Sequence, residues 1–511
     1  MIKRWLPSLI GLSALALFGR LLGFAREALM ASKFGASEIT DAYLTTLLLF
    51  DIAVTANSSI ISGTFSYLSE IKNQNNFFSS LFNVGLKIFG IVFLLAMIFY
   101  PLADKIIPLV FTRSAASTQI VVESSRLLLV LAAFISASGV FSSLLQMKGS
   151  ITNPGRLIIF LNVTSITFLI LFTKFFGIVA LPLGLLFGGV LFFVYQIYLI
   201  KKTDSPIVHR IEQNKFNFAA WLIVVIMVYG NSLLPSVSGL IERYFAYSFA
   251  EGTFSHYQYA VKILLLPLTI FSFAISASLL PLQTKSISEG DKKEFSDATN
   301  KGVLVSVVTS CLFAVLFYVL AEPIIQLIYE RGHFTHFDSS ETSLALRIMS
   351  VGLIPFLLNP VIANIYFALR SLKSLIAINL FFILIQTMLL FYLSKQLSGI
   401  QALTITWVVI VWMNNFFLFY FLFRRKGFAL DKIAVLKLLL VILCGSAMAL
   451  IGKYFSDLWL ADLTVVQNGL LVLLKTMFAI FVLLILFISL VAVVFWERMS
   501  GVVSYLKGLR K

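Results

Sequence analysis

Ser8–Met30 reads SLIGLSALALFGRLLGFAREALM, a stretch long enough to cross a lipid bilayer as a single helix. Two arginines, Arg20 and Arg26, lie inside this stretch. A guanidinium at the centre of a bilayer costs roughly 2.5–3.5 kcal/mol on insertion scales. We therefore expect both arginines to face a polar cavity within a helix bundle, and Asp41 on the next apolar segment is a plausible counter-charge.

The composition of the whole chain is that of a membrane protein. Of its 511 residues, 59% are hydrophobic and 12% are charged, whereas about 25% are charged in a typical soluble domain. The net charge of +16 reflects the loops, so we expect no nucleic-acid partner. The two cysteines, Cys311 and Cys444, lie in apolar runs, and neither a disulfide nor a metal site is predicted.

Apolar windows of about 20 residues predict fourteen membrane-spanning helices. Lysine and arginine are concentrated in every second loop, and by the positive-inside rule this places both termini in the cytoplasm. The fold class is therefore an all-α polytopic membrane protein. The predicted helices have approximate limits 8–30, 39–67, 80–110, 125–147, 157–174, 177–200, 217–241, 253–283, 302–328, 343–369, 374–394, 398–423, 434–452 and 468–495.

The short loops indicate what the protein does not do. No loop is long enough to hold a soluble domain, and the sequence contains no GxxxxGK[ST] phosphate-binding motif. Membrane glycosyltransferases, polymerases and ligases generally need a sizeable outer loop that carries acid–base residues. The sequence therefore predicts a transporter, not an enzyme, without a cofactor and driven by an ion gradient, the membrane potential or a partner.

Two stretches of the chain, Gly23–Tyr43 and Gly239–Tyr259, resemble each other, and Ser32 of the first matches Ser248 of the second. This similarity predicts two six-helix lobes around a central cationic cavity, followed by a C-terminal helix pair. Lobes that rock against each other around a site between them are a common transporter plan. The predicted parts are an N-terminal lobe (1–200), a basic cytoplasmic linker (201–216), a C-terminal lobe (217–423), an accessory helix pair (434–495) and a basic cytoplasmic tail (496–511).

A cavity containing Arg20, Arg26 and Lys262 would suit a diphosphate group. Arginine binds phosphate oxygens in pairs through its planar fork, and lysine adds a mobile point charge. The competing interpretations are a structural salt bridge for Arg20, a residue that reaches the membrane surface for Arg26, and a helix cap for Asp41. Further charged residues would support the site or couple it to an ion: Asp41, Asp51, Glu27, Arg243 and Glu242.

The opening of the chain resembles that of the MurJ (MviN) lipid II flippases, which belong to the multidrug/oligosaccharidyl-lipid/polysaccharide exporter superfamily. The similarity covers nearly the whole chain, including fourteen spans. The residues that carry it are Phe18–Glu27, Phe34-Gly35-Ala36, Thr40–Tyr43, Tyr259–Ile263 with Pro267, Leu280-Pro281, and Tyr329–Thr335 with Asp338.

The resemblance implies a flippase that moves an undecaprenyl-diphosphate-linked peptidoglycan precursor, lipid II, to the outer leaflet of the bacterial inner membrane by alternating access. It assigns the cavity arginines of the family's first helix to Arg20 and Arg26. The second-helix aspartate corresponds to Asp41, and the arginine of the eighth helix corresponds to Lys262. The implied partners are the lipid-linked substrate, membrane lipids and other proteins of cell-envelope synthesis.

The second helix departs from the family pattern. Val54 and Thr55 stand where the family carries an arginine pair, and Ser59 replaces an acidic residue. The cavity is therefore less basic, which leaves open a flippase for another lipid-linked oligosaccharide, such as an O-antigen or capsule unit, or a small-molecule antiporter. The membrane potential, or Na⁺ or H⁺ bound at Asp41 or Asp51, is the candidate energy source.

Overall fold

The computed structural model describes residues 2–69, 77–111, 113–150, 152–202, 217–369, 371–426, 432–460 and 465–494. Within these ranges every regular element is helical, which confirms the all-α prediction. The chain forms two compact units, Met1–Ser255 (unit 1) and His256–Lys511 (unit 2).

Unit 1 is built from helices α1 to α9 and the first turn of α10. A 3₁₀ turn at Gly177–Val179 separates α6 from α7. The helices are α1 (Ile2–Phe34), α2 (Glu38–Ser69), α3 (Phe77–Val110), α4 (Ala115–Met147), α5 (Asn153–Leu171), α6 (Thr173–Phe176), α7 (Ala180–Lys202), α8 (Phe218–Ser232) and α9 (Leu234–Ala246).

Unit 2 continues with long helices and one sharply broken pair. Its helices are α10 (Thr253–Ser288), α11 (Lys292–Tyr329), α12 (His336–Ser350), α13 (Leu353–Ala368), α14 (Leu372–Leu393), α15 (Gly399–Lys426), α16 (Lys432–Leu460) and α17 (Val465–Val494).

Among the described residues, ten helices are long and apolar enough to cross a membrane, and two bent pairs, α8–α9 and α12–α13, raise the number to twelve. The other two of the fourteen predicted spans coincide with α1 and α10, whose side chains are described only in part. The chain is therefore a multi-pass membrane protein, and the count of fourteen stays a prediction.

The core of unit 1 combines apolar packing with a few buried polar contacts. Trp221 is fully buried among side chains of α2, α3, α4 and α8, and its Nε1 donates to Thr64 Oγ1 at 3.1 Å. A second contact joins three helices, because Gln196 Nε2 on α7 donates to Ser142 Oγ of α4 and Asn153 Oδ1 of α5, both at 2.8 Å. Buried amides paired in this way hold helices in one register.

Helix α11 and the α12–α13 pair of unit 2 depart from straight helices. In α11, Leu320 leaves the helical conformation three residues before Pro323, whose ring and missing N–H disrupt the preceding turn. Helices α12 and α13 meet at an angle of 51° around Gly352. A Cβ at Gly352 would lie 2.5 Å from the Trp407 ring, so the absence of a side chain lets α15 approach the break closely.

The two similar stretches found in the sequence share local structure. Tyr43 and Tyr259 are both fully buried. Ser32 Oγ donates to the carbonyl of Leu29 at 2.9 Å, and Ser248 Oγ makes the same bond to the carbonyl three residues before it at 2.6 Å. Each serine therefore satisfies a carbonyl near the end of a helix, α1 in one case and α9 in the other.

The predicted division into lobes stays a prediction. Most of the predicted basic linker (201–216) and the whole predicted tail (496–511) lie outside the described residues. The boundary between the two units falls in the first turn of α10, after Ser255.

Candidate functional site

The arginines of the first helix differ in their surroundings. Arg20 is half-buried, whereas Arg26 is buried and its Nη2 donates to Glu27 Oε1 at 2.8 Å. The two side chains of this ion pair are only 8% and 3% exposed. A buried guanidinium needs a counter-charge, and Glu27, the next residue in the chain, supplies it.

Close packing against α5 holds the part of α1 that carries these arginines. Asn162 Nδ2 on α5 donates to the carbonyl of Gly19 at 2.9 Å. A Cβ on Gly23 would lie 3.3 Å from the same nitrogen, so the absence of a side chain on Gly23 keeps the two helices close. Arg20 lies between these two glycines and is therefore carried by a fixed segment of backbone.

Asp51 on α2 forms an ion pair with Arg243 on α9 at 3.5 Å. The Asp51 side chain is 56% exposed although it lies within an apolar span, whereas that of Arg243 is 7% exposed. Arg243 also donates to the carbonyl of Gly239 at 3.0 Å and lies over the Phe254 ring. Charged groups within membrane spans usually face a water-filled interior, so the exposed face at Asp51 indicates a polar space beside α2.

Asp41 is the centre of a buried cluster that we call the Asp41 latch: Asp41, Arg113, Gly252 and Ser255. Its Oδ2 accepts from Arg113 Nη1 at 3.1 Å and from the Gly252 N–H at 2.9 Å. Its Oδ1 accepts from the Ser255 N–H at 2.8 Å and from Ser255 Oγ at 2.6 Å. Asp41, expected to balance the first-helix arginines, thus binds Arg113 and caps the N-terminus of α10.

Arg113 ties the latch to the loop between α9 and α10. Its Nε donates to the carbonyl of Tyr247 at 3.0 Å, and its Nη2 donates to those of Ala246 and Phe249 at 3.0 and 2.5 Å. Burial, followed by the charge of Asp41, raises the pKa of the Tyr247 phenol, so this ring stays neutral beside the ion pair. Arg113 is thereby satisfied by four protein acceptors.

Gly252 is required by the geometry of the latch. Its φ of +78° lies in the left-handed region, which residues with a side chain rarely adopt. A Cβ at this position would lie 2.5 Å from the carbonyl oxygen of Ala36. Only glycine can therefore place its N–H on Asp41 while the loop packs this closely.

In unit 2, Lys262 is half-buried on α10. Near the start of the same helix, His256 Nε2 contacts Asp338 Oδ1 of α12 at 2.9 Å, and both residues are buried. The other Asp338 oxygen accepts from the N–H and Oγ1 of Thr335, closing the capping box of α12. The His256–Asp338 contact therefore joins the first turns of α10 and α12.

The ion pairs among the described residues differ from the pairing of Asp41 with the first-helix arginines that the sequence predicts. Glu27, Arg243 and Asp51 all take part in ion pairs, and Glu242 is half-buried beside Arg243. Sequence reasoning overlooked Arg113, because it lies in a short loop, and Arg347, because it lies in a predicted span without an obvious partner. No cluster of three or more histidine, cysteine or acidic residues that could bind a metal occurs in the described ranges.

Comparison with protein families identifies one that spans most of the chain. The family model for the lipid II flippase MurJ matches residues 30–474. A probable lipid II flippase MurJ of Buchnera aphidicola subsp. Acyrthosiphon pisum (strain APS) is 28% identical, over 87% of this chain and 89% of that protein. The lipid II flippase MurJ of Burkholderia cenocepacia is 24% identical, over 87% of this chain and 88% of its own length.

Solved structures share the fold. A lipid II flippase MurJ in an inward closed conformation superposes with a TM-score of 0.76 at 21% identity, covering 96% of this chain and all of that one. An inward-facing multidrug transporter of the MATE family, in the MOP superfamily, gives a TM-score of 0.69 at 12% identity. That match covers 80% of this chain and 94% of the transporter.

Proposed function

Since the chain belongs to the MurJ family of lipid II flippases, we propose that it moves lipid II, a peptidoglycan precursor on a lipid diphosphate, across the membrane. The match of the family model to residues 30–474 carries this proposal. The protein acts as a transporter, so the chemistry of its site is binding and release.

The diphosphate is bound by Arg20 and Arg26 in unit 1 and by Lys262 in unit 2, each at some stage of the cycle. Arg26 supports this role because it is a buried guanidinium in a membrane helix whose charge is held by one neighbouring carboxylate, Glu27. A diphosphate can share that guanidinium through paired hydrogen bonds. Asp51 and Arg243, with Glu242 beside them, line the polar space next to α2 and support the same site.

The Asp41 latch is the part of unit 1 that must open or shift when the head group passes. It closes the loop between α9 and α10 onto the start of α2 through one carboxylate. Because these contacts depend on charge, Na⁺ or H⁺ at Asp41 or Asp51, or the membrane potential, can drive the cycle. The protein works in the bacterial inner membrane with both termini in the cytoplasm, alongside other proteins of envelope synthesis.

The proposal is tested in cells depleted of their own lipid II flippase. Expression of this chain should make lipid II accessible to a membrane-impermeant probe at the outer face and restore growth. Arg26→Ala should abolish this accessibility, whereas Arg331→Ala, which removes an exposed arginine in unit 2, should leave it unchanged. An inserted, folded wild-type protein that leaves lipid II inaccessible would refute the assignment of lipid II as substrate.

A flippase for a different lipid-linked oligosaccharide is the second candidate. It is favoured by α2, where Val54 and Thr55 are half-buried and uncharged and Ser59 is buried. An O-antigen or capsule precursor shares the lipid diphosphate but differs in its glycan. The same depletion experiment, run with a strain lacking the flippase for such a glycan, separates the two candidates.

A further inference from the structure

Arg347 is a charged residue on α12, shortly before the break between α12 and α13. It lies eleven residues after the first residue of α12, His336, or about 16 Å along the helix. The α12–α13 pair passes the length and apolarity criteria for one broken span. Arg347 therefore lies within a segment that qualifies as one broken membrane span.

No acceptor for this guanidinium is found among the described residues. Arg347 is half-buried, and its Nε is fully enclosed yet meets no hydrogen-bond partner among the residues described. Within the same ranges, no ion pair includes Arg347, since Asp338 is held by His256 and Thr335, and Glu330 faces His336. Arginines within membrane spans usually pair with an anionic or carbonyl group in a polar cavity, and a bound anion would satisfy this guanidinium.

The helix break does not account for Arg347. A cation in the last turn of a helix can interact with the free carbonyls at its C-terminus. Here the carbonyl of Arg347 itself accepts from Ser350 Oγ at 2.7 Å, and that of Val351 accepts from Trp412 Nε1 at 3.1 Å. The N–H of Gly352 returns to the carbonyl of Met349 at 2.9 Å. The break is therefore satisfied without the guanidinium.

Arg347 and Lys262 lie on two helices of unit 2 that are joined at their first turns. The His256–Asp338 contact joins α10 and α12 at their first turns and serves as a reference point for counting residues along both helices. Counted from it, Lys262 lies six residues along α10, about 9 Å, and Arg347 lies nine residues along α12, about 14 Å. Unit 2 thus carries two cations within three helical turns of this contact, and one of them lies beside a broken helix, a common feature of transporter binding sites.

We propose that Arg347 is an additional binding residue for the phosphate groups of the lipid-linked substrate. Its planar fork binds a phosphate oxygen pair while the lipid diphosphate occupies unit 2, and Lys262 supplies a second positive charge in the same unit. This inference rests on the proposed function. The same chemistry would also hold the phosphate of an ordinary anionic phospholipid, so the test must separate these two sources.

The test measures binding to the purified full-length protein in phosphatidylcholine nanodiscs. The probes are undecaprenyl diphosphate and, separately, phosphatidylglycerol, with occupancy followed by native mass spectrometry. Arg347→Gln should weaken binding of undecaprenyl diphosphate on the order of tenfold, as expected for loss of a charge-assisted contact. Arg347→Lys, which keeps the charge without the fork, should give an intermediate loss and also serves if the glutamine variant does not fold.

The matched control is Arg331→Gln, which removes an exposed arginine of the same unit and should bind like the wild type. Equal binding by Arg347→Gln and the wild type would overturn the inference and leave the proposed function standing. An equal loss for both probes would also overturn it, because Arg347 would then hold a structural lipid. A wild-type protein that binds no undecaprenyl diphosphate would refute the proposed function itself.

Discussion

At the scale of single residues, the Asp41 carboxylate shows how unit 1 accommodates a buried charge. It accepts four donors, one from an arginine and three from the start of α10 and the residue before it. Because Arg113 lies in a loop and Asp41 on a helix, their contact ties this loop to α2. Removing the Asp41 charge would leave the Arg113 guanidinium buried beside neutral groups. This destabilises the fold more than replacing both members of the pair by apolar residues would.

Asp41→Asn should therefore lower the free energy of unfolding of the purified protein by about 3 kcal/mol or more, as for other buried ion pairs that lose one member. Asp104→Asn is the matched control, because Asp104 pairs with Arg126 in the same unit but its side chain is 58% exposed. That change should cost less than about 1 kcal/mol. Unfolding midpoints that shift equally for both variants would contradict a structural role for the latch.

The residues of the site could be predicted from the sequence more readily than their partners. Arg20, Arg26 and Asp51 stand out because each is charged within an apolar run. Their pairing depends on tertiary structure, and Asp41 binds a residue 72 positions away in Arg113 and another 211 positions away in Gly252. No local pattern encodes such distant contacts, since an arginine in a short loop looks like any other solvated loop residue.

At the scale of helices, apolar run length predicts where helices lie but not where they break. The predicted span 343–369 begins seven residues late, because α12 starts with polar residues at His336 that a hydropathy window rejects. The kink before Pro323 follows from proline itself. The close packing at Gly352 has no such local signal, because it involves the Trp407 ring of a helix that comes later in the chain.

The buried amide of Gln196 gives a test at this scale, because it joins α4, α5 and α7. Gln196→Leu should lower stability by about 1–3 kcal/mol, since Ser142 and Asn153 would lose a partner while staying buried. Gln119→Leu is the control, because Gln119 is exposed and, among the described residues, donates to Glu123 on its own helix. Its effect on the free energy of unfolding should stay within about 0.5 kcal/mol. A similar loss in both variants would mean that the hydrogen bonds of Gln196 do not stabilise the fold.

At the scale of the whole molecule, the charges inside the membrane spans follow a pattern. In unit 1 they occur largely as pairs, Arg26 with Glu27 and Asp51 with Arg243, and the Asp41 latch adds a third. In the described part of unit 2, Arg347 has no such carboxylate. A diphosphate that binds at Arg347 carries negative charge into the membrane-embedded part of the protein. The transported lipid therefore responds to an electric field across the membrane.

Flipping in proteoliposomes should therefore depend on the membrane potential. Moving one elementary charge across 100 mV changes the free energy by about 2.3 kcal/mol, so a potassium diffusion potential set with valinomycin should speed transfer of the diphosphate toward the positive side. The measurement is the rate at which lipid II becomes accessible to an impermeant reagent, with imposed Na⁺ and pH gradients at zero potential as separate arms. Reversing the potential should slow the same transfer. A rate that ignores both signs of the potential and both ion gradients would exclude an electrically or ionically driven cycle and leave the substrate gradient as the driving force.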